Sequence, residues 1–321
     1  VNILFPDIHL NLTKNIARAL STLGHTLILP SKDYVATHRP PAPVNDFVWN
    51  ETWDEQKIKK HFNTDNVTCL NKEQILDLKP DVVFITAYEN QFEILEELYP
   101  HLREKSKIAM YSGNSYWPEA YPIDRVDNFL CADWLSYHVC LHNKKNYLYY
   151  RPWVDYETFN FKGSNSSNIL GSYISNFSKA FPDDYKYCNY LKDALDFLDI
   201  KLHSNITHEE VPIEMEHSMA TLHVKKMEGY GYAIIESMAS GRPVFLYSKY
   251  SGDKSYQQWA IENVTALYFS DAYELHCKAK AMLESEDYRH HLQHTCAENI
   301  RKLINNEEQT DNLKHFLENL K

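Results

Sequence analysis

The chain is 321 residues long, 44% hydrophobic and 24% charged, which suits a soluble globular protein large enough for two domains with separate cores. Its formal net charge of −11 argues against a nucleic-acid partner and against docking on anionic lipid, since both need a basic surface. No apolar run approaches the roughly 20 residues of a membrane helix, so stable membrane insertion is not expected.

The first residues, VNILFPDIHL, lack the basic-then-apolar order of a signal peptide. Six cysteines (Cys69, Cys131, Cys140, Cys188, Cys277 and Cys296) are scattered without a C-x-x-C pair. Free thiols in a reducing cytosol explain them better than a disulfide framework, so a cytoplasmic protein is expected.

In chain order, Asn2–Phe5 reads as a short apolar strand. Leu12, Ile16, Ala19, Leu20 and Leu23 keep helical spacing, and Gly24-His25 closes that helix before a strand at Thr26–Leu29. Ser31–Asn66, with Pro40-Pro41-Ala42-Pro43, is the least regular stretch and is expected to loop over the site. Strands follow at Asp81–Thr86, Lys107–Tyr111 and Asn128–Cys131, with helical segments near Phe92–Leu98 and Asp133–Leu141. A second cycle begins after Tyr147–Tyr150: strand Ile169–Tyr173, helix Tyr185–Leu198, strand Lys201–His203, helix Val211–His217 and strand Thr221–Val224. Three helices fill Asp271–Lys321. Strands alternating with helices predict parallel sheets of the doubly wound kind. Neither half holds G-x-G-x-x-G or a P-loop, which weakens dinucleotide and Walker-type readings.

The richest segment is Met227–Tyr247, MEGYGYAIIESMASGRPVFLY. Ala233–Ala239 reads as a helix, Gly241 stops it, and PVFLY reads as a buried strand. Glu228 falls in a turn before the helix and Glu236 about one turn inside it. Glycines 229 and 231 let a ligand approach the backbone, and the amides at a helix start favour an anion. A carboxylate on either side of an anion site suits a ligand with hydroxyls on both sides of a phosphate, such as a nucleotide sugar. The competing reading is an ordinary helix–glycine–strand unit with solvated glutamates, but nothing structural requires a carboxylate just before the glycine turn.

EGYGYAIIESMASGRPV resembles the E-x7-E signature of the retaining GT-B glycosyltransferases, especially glycosyltransferase family 4. Arg151–Phe159, RPWVDYETF, is similar to that family's N-G-V-D-x-x-x-F linker, and Gln257–Leu267 to its E-x-V-x-D-G-x-x-G-L segment. The likeness covers nearly all of the second half and only the general layout of the first. It implies the GT-B fold: two Rossmann-like domains facing each other across a cleft, residues 1–152 on the acceptor side and 153–304 on the nucleotide-sugar side. Residues 305–321, with a last helix at Thr310–Leu320, would cross back onto the first domain.

By this resemblance the activity is metal-independent hexosyl transfer in glycan biosynthesis, from a UDP- or GDP-linked sugar to a glycan or glycoprotein, with no required cofactor. Glu236 would accept hydrogen bonds from the ribose hydroxyls and Glu228 from hydroxyls of the transferred sugar. The amides of Gly229, Tyr230 and Gly231 would complete the pocket. The family's G-R-L-x-x-x-K-G segment reads GSYISNFSKAF here, so Gly171 and Lys179 fit while Ser172 stands at the arginine position. Lys179 is therefore the expected phosphate cation, with Lys225 or Lys226 as substitutes. In the first half, Pro6–Asn11 replaces a glycine-rich loop, which makes Asp7 and His9 candidates for acceptor or phosphate contact. Ser112-Gly113-Asn114 occupies the place of a family histidine. Tyr116, Trp117 and Tyr121 read equally as a sugar platform or as core. Asp183-Asp184 reads as a helix start rather than a metal pair, and His290, His291 and His294 as surface histidines; no metal site is expected. Two further classes stay open: a sugar-nucleotide isomerase on a similar scaffold, for which no motif is present, and a non-catalytic sugar-nucleotide-binding module, which the missing arginine and histidine permit.

Overall fold

The computed structural model describes residues 1–6, 10–38, 55–85, 91–112, 126–132, 138, 140–151, 153–226, 228, 231–252 and 254–321. The chain divides into two units, Val1–Trp153 with Asn306–Lys321, and Val154–Asn305.

The first unit is built on seven parallel strands: β1 (Asn2–Leu4), β2 (Thr26–Pro30), β3 (Val67–Leu70), β4 (Val82–Ile85), β5 (Lys107–Ser112), β6 (Asn128–Cys131) and β7 (Asn146–Tyr149). Their order is β3-β2-β1-β4-β5-β6-β7, every pair parallel. VVFI of β4 and NFLC of β6 are buried along their whole length, as parallel strands covered on both faces must be. Helix α1 (Leu10–Thr22) buries Ile16, Ala19 and Leu20, and Gly24, at φ +76°, turns the chain back into β2. 

The stretch expected to be irregular contains two helices, α2 (Lys32–His38) and α3 (Glu55–Phe62), while residues 39–54 lie outside the described residues. Helix α3 forms because Ile58 and Phe62, one turn apart, both reach the core. Sequence periodicity also missed β3 and α4 (Lys72–Leu78). The strand is only partly buried, so it lacks a clear apolar run, whereas the helix carries a local signal: Asn71 and Gln74 form a reciprocal capping box. Helix α5 (Gln91–Leu102) covers the expected Phe92–Leu98. The segment Asp133–Leu141 falls mostly outside the described residues.

The second unit has five parallel strands: β8 (Ile169–Tyr173), β9 (Asp199–His203), β10 (Ala220–His223), β11 (Val244–Tyr247) and β12 (Ala266–Phe269), ordered β12-β11-β10-β8-β9. Its helices are α6 (Phe177–Ala180), α7 (Pro182–Ala194), α8 (Val211–His217), α9 (Tyr232–Ala239), α10 (Ala272–Glu284) and α11 (Glu286–Leu303). Leu170, Leu222, Phe245 and Leu267 from four strands meet Leu191, Leu275 and Leu292 from three helices in one core. Helix α7 starts three residues earlier than its apolar spacing indicated, because Pro182 opens it at a position where no amide donor is needed.

The last helix, α12 (Asn306–Glu318), belongs to the first unit and packs on α1 with Leu313 and Phe316 buried. Gln309 Oε1 accepts the Arg151 amide at 2.9 Å, and the fully buried Asn128 accepts the Lys321 amide at 2.9 Å. Buried amide side chains thus fix both ends of the returning segment.

Candidate functional site

In the second unit the strand order reverses between β8 and β10. The chain leaves β8 for β9 on one side and returns through α8 to β10 on the other. Connections that part in opposite directions leave a crevice outside the carboxyl ends of the two strands. Tyr173 and His223 are the last residues of those strands.

Beyond His223 the chain turns into α9. Gly231 is its N-cap, at φ +76° and ψ +51°, and its carbonyl accepts the amides of Ile234 and Ile235 at 2.9 and 3.1 Å. Only glycine takes this conformation without strain. A Cβ here would also lie 2.9 Å from Ile234 Cδ1. The positive end of α9 is thereby presented at the carboxyl end of β10.

What fixes α9 is the far end of the same motif. Ser237 Oγ donates to Thr221 Oγ1 on β10 at 2.6 Å and lies 2.7 Å from the Arg242 carbonyl. The Arg242 side chain is 2% exposed and donates to the carbonyls of Met215, Glu216, Gly163 and Gly241 at 3.0–3.2 Å. Burial pulls its pKa down to about 10, with Glu216 acting against that, so it stays a cation at neutral pH. The SMASGRPV tail is therefore a framework for the helix.

Before the helix, Glu228 is drawn inward. Its side chain is 12% exposed, with Oε2 lying 3.0 Å from His223 Nε2 and 3.2 Å from Lys225 Nζ. The His223 contact has ion-pair distance without the alignment of a hydrogen bond, and neither ring nitrogen has a hydrogen-bond partner among the described residues. Burial alone would raise the Glu228 pKa, but His223 and Lys225 outweigh it and hold the carboxyl at about 2. Lys225 also lies over the Phe181 ring, 4.8 Å from its centroid. Asp184 Oδ2 accepts the Lys226 amide at 3.0 Å, tying this loop to α7. Asp183-Asp184 thus opens a helix, as the sequence implied, and Asp184 has a structural partner besides. Among the described residues no three metal-ligating side chains gather.

Sequence reasoning picked out Glu228 and missed His223. The missing signal is positional: His223 is a polar residue at the end of a fully buried strand, beside the site but outside the matched motif. Glu236 lies on the second turn of α9, partly buried. Lys179 is exposed on the four-residue α6 that follows β8. Ser172 is fully buried within β8, and its hydroxyl has no hydrogen-bond partner among the described residues. Gly171 makes room for a neighbour: a Cβ there would lie 2.2 Å from Tyr173 Oη, which is 3.0 Å from Ser218 Oγ. Ser112 ends β5, paired in register with Cys131. Asp7, His9, Asn114, Tyr116, Trp117, Tyr121, Gly229 and Tyr230 lie outside the described residues. His294 stands 3.7 Å from Glu298 and stacks on His290; it lines an open pocket of about 440 Å³ with Tyr156, Phe161 and Arg301 that contains none of the candidate residues.

No protein-family model and no curated protein matches this chain. Solved structures do. HepE from Anabaena, determined in complex with UDP-glucose, aligns over 99% of this chain and 100% of its own, with TM-score 0.68 and 10% identity. A glycosyltransferase from Rickettsia africae aligns over 99% of this chain and 98% of its own, with TM-score 0.64 and 12% identity. A proposed UDP-N-acetylglucosamine 2-epimerase from Listeria monocytogenes covers 94% of each chain, with TM-score 0.57 and 10% identity. The likeness shows a fold of GT-B type, two parallel-sheet α/β units. Among the described residues no helix is long and apolar enough to cross a membrane.

Proposed function

We propose that this chain is a retaining glycosyltransferase, similar to family 4, that moves a hexose from a UDP- or GDP-linked sugar to a glycan or glycoprotein. The observation that carries the reading is Glu228: a buried carboxylate kept ionised just past the carboxyl end of β10, ahead of a glycine-capped helix. A carboxylate there accepts hydrogen bonds from sugar hydroxyls and offsets the positive charge that grows on the ring as the bond to phosphate lengthens. The amides at the start of α9 face the negative charge that grows on the departing diphosphate. In the step, the anomeric carbon–phosphate oxygen bond breaks while the acceptor oxygen bonds the same face. The acceptor's proton passes to the leaving phosphate, so the nucleoside diphosphate departs with no covalent enzyme intermediate and no metal. Glu236 takes the ribose hydroxyls. Residues 153–304 hold the donor and residues 1–152 the acceptor. HepE's occurrence with UDP-glucose supports a nucleotide-sugar ligand.

The Listeria neighbour favours a second reading, a sugar-nucleotide epimerase. Product analysis separates the two. Incubated with UDP-glucose or GDP-mannose, a transferase slowly releases free sugar of unchanged anomeric configuration and the diphosphate, whereas an epimerase returns an epimeric nucleotide sugar. A binding module returns the donor intact. For the transferase, Glu228→Gln should keep UDP affinity and lose at least about 100-fold in turnover, while Glu236→Ala should weaken UDP itself by about 1–3 kcal/mol. Wild-type turnover in the Glu228 variant would sink the reading.

A further inference from the structure

We propose that His223 is the positioning residue of the site, fixing the Glu228 carboxylate in the orientation that meets the transferred sugar. The proposal rests on the reading that Glu228 faces that sugar. Three observations converge on it. First, His223 is the last residue of β10, a strand buried at every position, and is paired in register with Leu246 of β11, so its backbone has little freedom. Its ring, 3% exposed, inherits that rigidity. Glu228, five residues on, lies outside any helix or strand, and a carboxylate there has several rotamers unless something holds it.

Second, Glu228 is the polar group that the ring is seen to meet among the described residues. His223 Nε2 lies 3.0 Å from Glu228 Oε2, and neither ring nitrogen has a hydrogen-bond partner among the described residues. A buried imidazole without partners costs stability that a phenylalanine or leucine would not. Its polarity at this point therefore serves the contact with Glu228.

Third, His223 and Lys225, which both touch Glu228, differ in what they can do. Lys225 has a long flexible stem, is 20% exposed and shares its charge with the Phe181 ring, which suits neutralisation but not aim. His223 is short, planar and anchored on the sheet. Around Glu228 the titratable groups among the described residues are His223 from β10, Lys225 from the following loop, and Tyr256 from the short turn Ser255–Gln258, whose hydroxyl proton is held more tightly through burial first and also through the Glu228 charge. Of these, only His223 is fixed by a sheet. Positioning groups of this kind raise the rate by holding a reacting contact in its productive geometry, so their loss falls on kcat more than on nucleotide binding.

The test compares the full chain with His223→Phe and His223→Gln, using UDP affinity by calorimetry and hydrolysis of UDP-glucose or GDP-mannose between pH 5 and 8. His223→Phe should lower kcat at least about tenfold, leave UDP affinity within about twofold, and bring an acid limb into this range, because burial then raises the Glu228 pKa without the opposing pull of His223. His223→Gln, which returns a neutral donor near the Nε2 position, should recover much of kcat with a smaller acid shift. If His223→Phe does not fold, the Gln variant decides alone: near wild-type kcat with a raised acid limb supports the role, and a wild-type pH profile overturns it. A Phe variant with unchanged kcat and pH profile also overturns it. The underlying reading fails separately. Glu228→Gln turning over like wild type brings down the site, while an inactive Glu228→Gln beside an unaffected His223→Phe brings down only the role of His223.

Discussion

Two buried charges flank helix α9, and the protein satisfies them in opposite ways. At its carboxyl end the Arg242 guanidinium is matched by four backbone carbonyls, which cannot move or change charge without unfolding the unit. At its amino end Glu228 is matched by side chains, His223 and Lys225 among them, that can exchange partners. Both arrangements offset the same kind of desolvation penalty. The difference lies in what remains available to a ligand. A charge saturated by backbone has nothing left to offer, whereas one held by side chains at the open end of a strand can be shared with a substrate. On the proposed function, one motif thus divides into a structural tail and a chemical front.

The largest expected effect tests the tail. Arg242→Met removes one donor from each of four carbonyls inside the fold, of which Glu216 keeps Asn165 and Met215 keeps the Ser218 amide, and should destabilise the protein by roughly 3–5 kcal/mol, measured by denaturant unfolding. Arg242→Lys should recover little, since an ammonium cannot span four acceptors around a planar fork. UDP affinity per folded molecule should stay the same. A loss below about 1 kcal/mol, or a selective loss of UDP binding, would erase the distinction between the two ends.

Next comes the acid stability of the front. The Glu228 carboxyl is held at about 2 in the folded protein, below its ordinary value of 4.5, so its ionised form contributes stability that is fully present above about pH 4.5. That contribution, about 3 kcal/mol as an upper figure, is lost as pH falls from 4.5 through 2. The sign follows because the unfolded state takes up the proton first. Glu228→Gln should therefore be less stable than wild type at pH 7 and should lose less stability between pH 5 and pH 3. Parallel stability curves for the two proteins would mean that the carboxylate is not held by its neighbours.

Much of the frame was legible because strong local signals coincide with it. The expected limits of Ile169–Tyr173, Asn128–Cys131 and Val211–His217 coincide with the observed ones. What escaped was set by partners remote in sequence or by turn chemistry. Strand β3 is a partly buried edge, and α4 announces itself only through the Asn71–Gln74 capping box. At the site, Glu228 and Gly231 carry a pattern of their own, but the His223–Glu228 contact does not. It joins a strand end to a residue five positions later that lies outside any helix or strand, where neither period applies. Gly171 shows the converse: a motif glycine whose observed neighbour is the Tyr173 ring of its own strand.

The smallest effect separates two candidate phosphate cations and carries the same comparison into binding. Lys179 is exposed on a single turn of helix, where solvent screens its charge. Lys225 is 20% exposed and already committed to Glu228 and the Phe181 ring, so its charge acts in a drier setting. On the proposed function, a diphosphate joined to a sugar that meets Glu228 would come within reach of Lys225, which lies 3.2 Å from that carboxylate, and the lysine would turn from one anion to the other. Lys225→Met should then weaken UDP by about 1.5–3 kcal/mol, as expected for losing one charge-assisted contact, and Lys179→Ala by less. Raising the ionic strength should shrink the Lys179 effect first. Titration of both variants with UDP at low and high salt decides the order. A larger, salt-resistant loss at Lys179 would place the phosphate beside α6 and leave Lys225 as a counter-ion for Glu228 alone.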